Sequence, residues 1–147
     1  FFNLAGKTLV MASPTNTKIF RNETGNTEDG SNMSSYIQRT GLTMDEQGNP
    51  NQAMVKHISS VWPKMKVNPD SADDTVNVYV GHQMSTEEAI TWEGPYTFNP
   101  DTQSKVPVRV TGKYIGVKFE STTDTTWQLN GYSLDVRNAG VRGSVSR

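Results

Sequence analysis

The sequence predicts an all-β fold, an antiparallel β-sandwich of jelly-roll-like type, preceded by a hairpin from an upstream body. Three observations predict it. Apolar and polar residues alternate in separate stretches: Val76, Val78 and Val80, then Val106, Val108 and Val110, then Ile115, Val117 and Phe119. Alternation at period 2 places one set of side chains on one face of a strand. Clusters of Gly, Pro, Asp and Asn separate these stretches at even spacing, the pattern of sandwiches and small barrels. The only helical candidate is a single turn at residues 86–89, where Ser85 would cap and Glu88 would complete a capping box.

Residues 7–21 read as a hairpin, because Lys7-Thr8-Leu9-Val10-Met11 and Lys18-Ile19-Phe20-Arg21 flank Ser13-Pro14-Thr15-Asn16, which is turn chemistry. Phe1-Phe2 before Asn3-Leu4-Ala5-Gly6 looks like a strand cut mid-element, so the chain is expected to be the C-terminal part of something larger. Residues 22–35 carry almost nothing apolar and read as a loop or flexible linker. Residues 1–35 are thus assigned to the hairpin and linker, and residues 36–147 to the sandwich.

Within that domain Tyr36-Ile37-Gln38-Arg39-Thr40 is a short strand that Gly41 can end, and residues 43–51 are polar and turn-rich. Residues 54–62, closed by Pro63, read as a strand or as a helical turn; strand is preferred, because the segment is β-branched and Pro63 pushes Trp62 into extended backbone. Pro107, between the valines of its run, suggests an edge or a bulge. Trp127 and Leu129, followed by Tyr132, Leu134 and Val136, form a last strand region, with Gly131 marking a bulge where the alternation shifts. The expected core is Val76, Val78, Val80, Val108, Val117, Phe119 and Leu134.

Composition excludes several function classes. The chain of 147 residues has a formal net charge of -1 and no cysteine. A thiolate zinc site, a disulfide framework and a cysteine nucleophile are ruled out. No basic footprint is present for nucleic acid, and no polybasic stretch for an anionic membrane. The hydrophobic fraction is 33%, low enough that partners are expected to cover part of the apolar surface.

Catalytic chemistry is poorly supported. His57 and His82 are the only histidines; His57 falls in a candidate strand, His82 at a loop rim, and no G-x-S-x-G elbow accompanies them. Neither shows metal-ligand spacing. Asp70, Asp73 and Asp74 gather in one turn but lack the order of a calcium loop, so a solvated turn is expected. Glu87, Glu88, Glu93 and Glu120 could supply paired carboxylates, yet nothing singles out a general acid. No catalytic residue, cofactor or metal is assigned, and the chain is expected not to be an enzyme.

The aromatic residues are more suggestive. Trp62, Trp92 and Trp127 are expected mainly as core. Tyr79 and Tyr114 project opposite the apolar faces of their strands, as does Lys118; with His82 they form the candidate contact surface.

The residues from Val61 onward carry a further pattern. It runs through Trp62-Pro63, Val78-Tyr79-Val80-Gly81-His82-Gln83-Met84, Ile90-Thr91-Trp92, Thr111-Gly112-Lys113-Tyr114-Ile115 and Lys118-Phe119-Glu120-Ser121. It continues in Trp127-Gln128-Leu129-Asn130-Gly131-Tyr132-Ser133-Leu134-Asp135-Val136 and closes on Gly140-Val141-Arg142-Gly143, with Arg39-Thr40-Gly41-Leu42 as a lead-in. This pattern resembles the C-terminal region of tail structural proteins of podovirus-like bacteriophages, similar to hub and packaged-DNA-stabilisation proteins. The resemblance implies a virion protein whose partners are other tail or portal-proximal proteins and copies of itself. It implies no catalytic residue. A second likeness, to galactose-binding-like or discoidin-like sandwiches through residues 112–119 and 127–129, implies instead glycan or lipid-head recognition through loops, and the alternative function is a carbohydrate-binding module for host surface glycans.

Overall fold

The computed structural model describes residues 10–12, 19–21, 27–28, 31–68 and 74–140. These residues form eleven strands and no helix. They are β1 (Val10–Ala12), β2 (Ile19–Arg21), β3 (Thr27–Glu28), β4 (Ser31–Asn32), β5 (Ser35–Leu42), β6 (Lys56–Val67), β7 (Val76–Gln83), β8 (Thr91–Phe98), β9 (Val106–Gly112), β10 (Tyr114–Ser121) and β11 (Trp127–Asn138).

Seven strands build the sandwich. One sheet has the order β5-β10-β7-β8 and the other β11-β6-β9. Every pairing in both is antiparallel. Alternation decides which side chains turn inward. Val76, Val78 and Val80 of β7 meet Ile115, Val117 and Phe119 of β10, and across the sandwich they face Ile58 and Val61 of β6 with Val106, Val108 and Val110 of β9. All are buried. The expected sandwich and six of its seven named core residues are therefore observed. Leu134 differs: it packs against the core only partly buried, because β11 is an edge strand and its flank opens to solvent.

Several local expectations are corrected. Pro63 does not close a strand; it lies inside the twelve residues of β6, opposite Tyr132. The proline is tolerated because β9 pairs β6 only from Lys56 to Val61. Beyond Val61 one side of β6 has no ladder among the described residues, so a missing N–H there breaks none of their pairings. Gly41 does not end β5 either. Ile115 and Val117 of β10 pair with Leu42 and Arg39, which leaves Thr40 and Gly41 opposite Gly116 alone. Gly41 has φ 73°, the left-handed backbone a bulge of this kind requires. At Gly131 the bulge is present, with a register shift between Leu129 and Gly131.

The helical turn at residues 86–89 is a turn without a helix. Met84 N–H donates to Glu88 Oε2 (3.3 Å) and Glu87 N–H to Ser85 Oγ (3.3 Å), but β8 begins at Thr91 before a second turn can form. The segment expected as a linker carries a small ladder, Thr27↔Asn32 and Glu28↔Ser31, and β5 begins at Ser35. Of the hairpin expected at residues 7–21, the described residues pair as Val10↔Arg21, Met11↔Phe20 and Ala12↔Ile19, and among the described residues these two strands join neither sandwich sheet. Its turn, Ser13 to Asn16, lies outside the described residues, as do Phe1 and Phe2.

Lys56 opens β6 from an unusual position for a cation. It is 1% exposed. Its ammonium donates to the carbonyls of Asn51 (2.7 Å), Met54 (2.9 Å) and Lys113 (2.8 Å), so all three N–H groups are satisfied. Those carbonyls belong to two separate connections, one entering β6 and one joining β9 to β10. The lysine ties them together at one end of the sandwich. Burial pulls its pKa below the ordinary lysine value, and the charge of Asp45 opposes that shift.

Candidate interaction surface

The outward face of the four-stranded sheet collects most of the predicted contact residues. On β10 the residues between the inward apolar set are Tyr114, Gly116, Lys118 and Glu120. Their partners on β7 are Gln83, Gly81, Tyr79 and Asn77. Lys118 and Tyr79 are therefore direct neighbours. The Lys118 ammonium lies 4.9 Å from the Tyr79 ring centre and 5.3 Å from that of Tyr36 on β5. It also pairs with Glu120 Oε1 at 2.9 Å. A cation held between two rings gains from both quadrupoles.

This cluster sets the ionisation of its members. Hydrogen bonding from Lys118, more than burial opposes it, holds the Glu120 carboxyl below its ordinary value, and the Tyr79 hydroxyl adds to the effect. Burial first, then the bond to Glu120 and its charge, pushes the Tyr79 phenol up. Tyr79 and Glu120 thus favour opposite charge states, a neutral donor against an ionised acceptor.

A second group sits beside it. Gly81 and Gly116 face each other across the β7–β10 ladder, and neither has a side chain to occupy the outer surface. Ile90 and Trp92 fill the space. A methyl on Gly116 would lie 3.1 Å from Trp92 Cη2 and 3.4 Å from Thr40 Cγ2; one on Gly81 would collide with Ile90 and meet Trp92 Cε3 at 3.0 Å. The indole therefore spans β7 and β10 across the sheet, between the Lys118 cluster and Tyr114. Tyr114 shares the face with Tyr79 but stands on the far side of this group.

His82 does not join them. It lies within β7, not at a loop rim, and its partner Ile115 is on the buried side of β10. The ring pairs with Glu93 at 3.7 Å at the end of the sandwich. His57 is likewise a strand residue, with Nδ1 3.0 Å from Thr111 Oγ1. Asp70 and Asp73 lie outside the described residues; Asp74 is described and exposed. Among the described residues no group of three or more His, Asp or Glu is placed to hold a metal.

The tryptophans correct the expectation of a tryptophan core. Trp62 is at the surface, with Nε1 donating to Asp135 Oδ2 (2.9 Å) and the Lys105 ammonium 5.2 Å from its ring centre. Trp127 is half-buried and donates to Ser35 Oγ (2.9 Å). Each indole keeps an apolar body against the protein and its N–H on a polar partner. The core itself is filled by Val, Ile and Phe, with Met65.

Strand β5 is the element the sequence underrated. Its first seven residues are exposed, with Tyr36 at 60% and Ile37 at 52%. Among the described residues it pairs on one side only, with β10. Tyr36 turns to the outer face, while Ile37 pairs with Phe119 and turns toward the flank between β5 and β11. The presence of both rings and aliphatics on a strand this exposed was the available signal. It was not readable as exposure, because an edge and a central strand share the same alternation. No protein-family model matches the chain, and no curated protein sequence matches it.

Proposed function

We propose that this chain is a non-enzymatic assembly module of a bacteriophage virion, a tail or portal-proximal structural protein that contacts neighbouring subunits and copies of itself. The resemblance in the sequence supports the setting. One structural observation supports the mechanism: among the described residues β5 pairs on one side only, and it carries two exposed apolar side chains, Tyr36 and Ile37. Such an edge is a template for another chain. The other edges are blunted. β8 carries Gly94-Pro95, β9 carries Pro107, and β11 is broken by two register shifts. Residues 35–39 have neither proline nor bulge.

The contact would extend from β5 onto the outer face through Tyr36, Lys118 and Tyr79. Aromatic anchors beside a charged pair supply the kind of central contact that dominates interface energetics. The test is tail assembly with the chain carrying Ile37→Lys, and separately Tyr79→Ala together with Tyr114→Ala. Loss of assembly with a folded domain and an empty glycan array supports the reading. Normal assembly with saturable glycan binding replaces it by the carbohydrate-binding alternative, for which Trp92 and the tyrosines would be the stacking platform.

A further inference from the structure

The flank between β5 and β11 is open, and at the end nearer Lys56 it forms a cleft of about 530 Å³. We propose that this cleft binds a small amphipathic carboxylate, a free acyl or aryl acid, with the apolar body on the cleft floor and the carboxylate on Arg39.

The floor is apolar. Ile58 of β6 and Ile115 of β10 lie at its base, and Leu134 and Val136 of β11 form one wall. The opposite wall is the hairpin at residues 43–51, closed by the Met44↔Pro50 bridge. The volume lies within the range of roughly 300–1,000 Å³ that small-molecule sites occupy, which are mostly apolar with a few convergent polar groups.

The polar groups select the charge of the ligand. Arg39 stands on β5 opposite Val117, on the side facing β11, and lines the cleft beside Tyr132, whose pKa its charge acts to lower. Tyr132 is neutral, since burial raises its pKa more than Arg39 lowers it. Among the described residues Arg39 makes no ion pair, although Asp45 and Glu46 line the same cleft. Each acid is held through one oxygen by backbone N–H groups. Asp45 Oδ1 accepts from the N–H groups of Gln47 (3.0 Å) and Asn49 (2.8 Å), and Glu46 Oε1 from that of Asn138 (2.6 Å). The other cation, Lys56, has all three donors on carbonyls. Arg39 is thus the one cation of the cleft with donors to spare. A guanidinium has five N–H groups in a fork that matches a carboxylate.

The cleft is lined by Arg39 and Leu42 of β5, whereas the proposed assembly contact uses the β5 edge at Tyr36 and Ile37 and the outer face; different variants and readouts test the two, so either reading can fail alone. The test titrates the chain with decanoate and with decanol below their aggregation limits, following backbone amide shifts by NMR. Decanoate should saturate, shift the amides of Leu42, Ile58, Ile115 and Leu134, and bind at least about tenfold more tightly than decanol. Arg39→Gln should erase that advantage, and Leu134→Phe should weaken decanoate by narrowing the cleft. Absent or non-saturable decanoate shifts, shifts located elsewhere, or equal binding of acid and alcohol by the unaltered chain would each overturn the proposal. Unchanged decanoate affinity in a folded Arg39→Gln variant would overturn it as well.

Discussion

The Lys56 ammonium donates to the backbone carbonyl of Lys113 at 2.8 Å, across 57 positions of sequence. With its bonds to Asn51 and Met54, one side chain closes two connections of the sandwich at once.

Lys56→Met keeps the apolar stem but leaves those three carbonyls without their donor. A buried group stripped of its partner costs more than the bond itself contributes. The expected loss is about 2–4 kcal/mol, measured as a lower urea midpoint with the slope unchanged. Lys56→Arg should not restore stability, because a planar fork cannot reproduce three convergent contacts from one nitrogen.

Gly94 has φ 127°, and a methyl there would stand 2.9 Å from the Val78 carbonyl oxygen. Backbone strain and a clash with a backbone atom add. Gly94→Ala should cost about 2–3 kcal/mol in chemical denaturation. Gly131→Ala, at a glycine with nothing within 4 Å of the added carbon, should stay within about 0.5 kcal/mol of the parent.

Phe119 is 1% exposed, and its ring centre lies 5.6 Å from that of Tyr132. Phe119→Ala should cost about 3–5 kcal/mol, the range for an aromatic removed from a closed core. Leu134→Ala should cost less than half of that, because half-buried Leu134 leaves a space that water can fill. Thermal melts of the two variants, side by side, check the order.

The Tyr79–Glu120–Lys118 cluster makes stability fall at both ends of the pH scale. Glu120 titrates below 4.5 when folded, so its contribution is whole above that ordinary value and disappears as pH falls through the lower folded one. Tyr79 titrates above 10.0 when folded, so its contribution is whole below 10.0 and disappears as pH rises through the higher folded value. Glu120→Gln should move the Tyr79 phenolate titration back toward 10.0 without reaching it, since burial remains the first cause. Ultraviolet difference titration against Tyr79→Phe isolates the group. An unmoved titration would remove Glu120 from the account.

Much of the fold was legible in the residues, for a local reason. Alternation at period 2 depends only on neighbours along the chain, so it marked the inward valines of β7 and β9, the Ile115-Val117-Phe119 face of β10, and the outward Tyr79, Tyr114 and Lys118. The bulge near Gly131 announced itself the same way, as a change of phase in the pattern. These features need no knowledge of which strand lies beside which.

Strand adjacency was decided only in three dimensions. Gly81 and Gly116 are 35 positions apart, and nothing in either neighbourhood says that they meet under Trp92. Pro63 reads as a terminator until β9 is seen to leave β6 at Val61. Lys56 reads as a surface lysine until the β9–β10 connection brings a carbonyl to it. The exposure of β5 and the cleft at Arg39 have the same origin. The pattern of a strand sets which side chains share a face, whereas its place in the sheet order sets whether that face, and its row of backbone N–H and C=O groups, is covered.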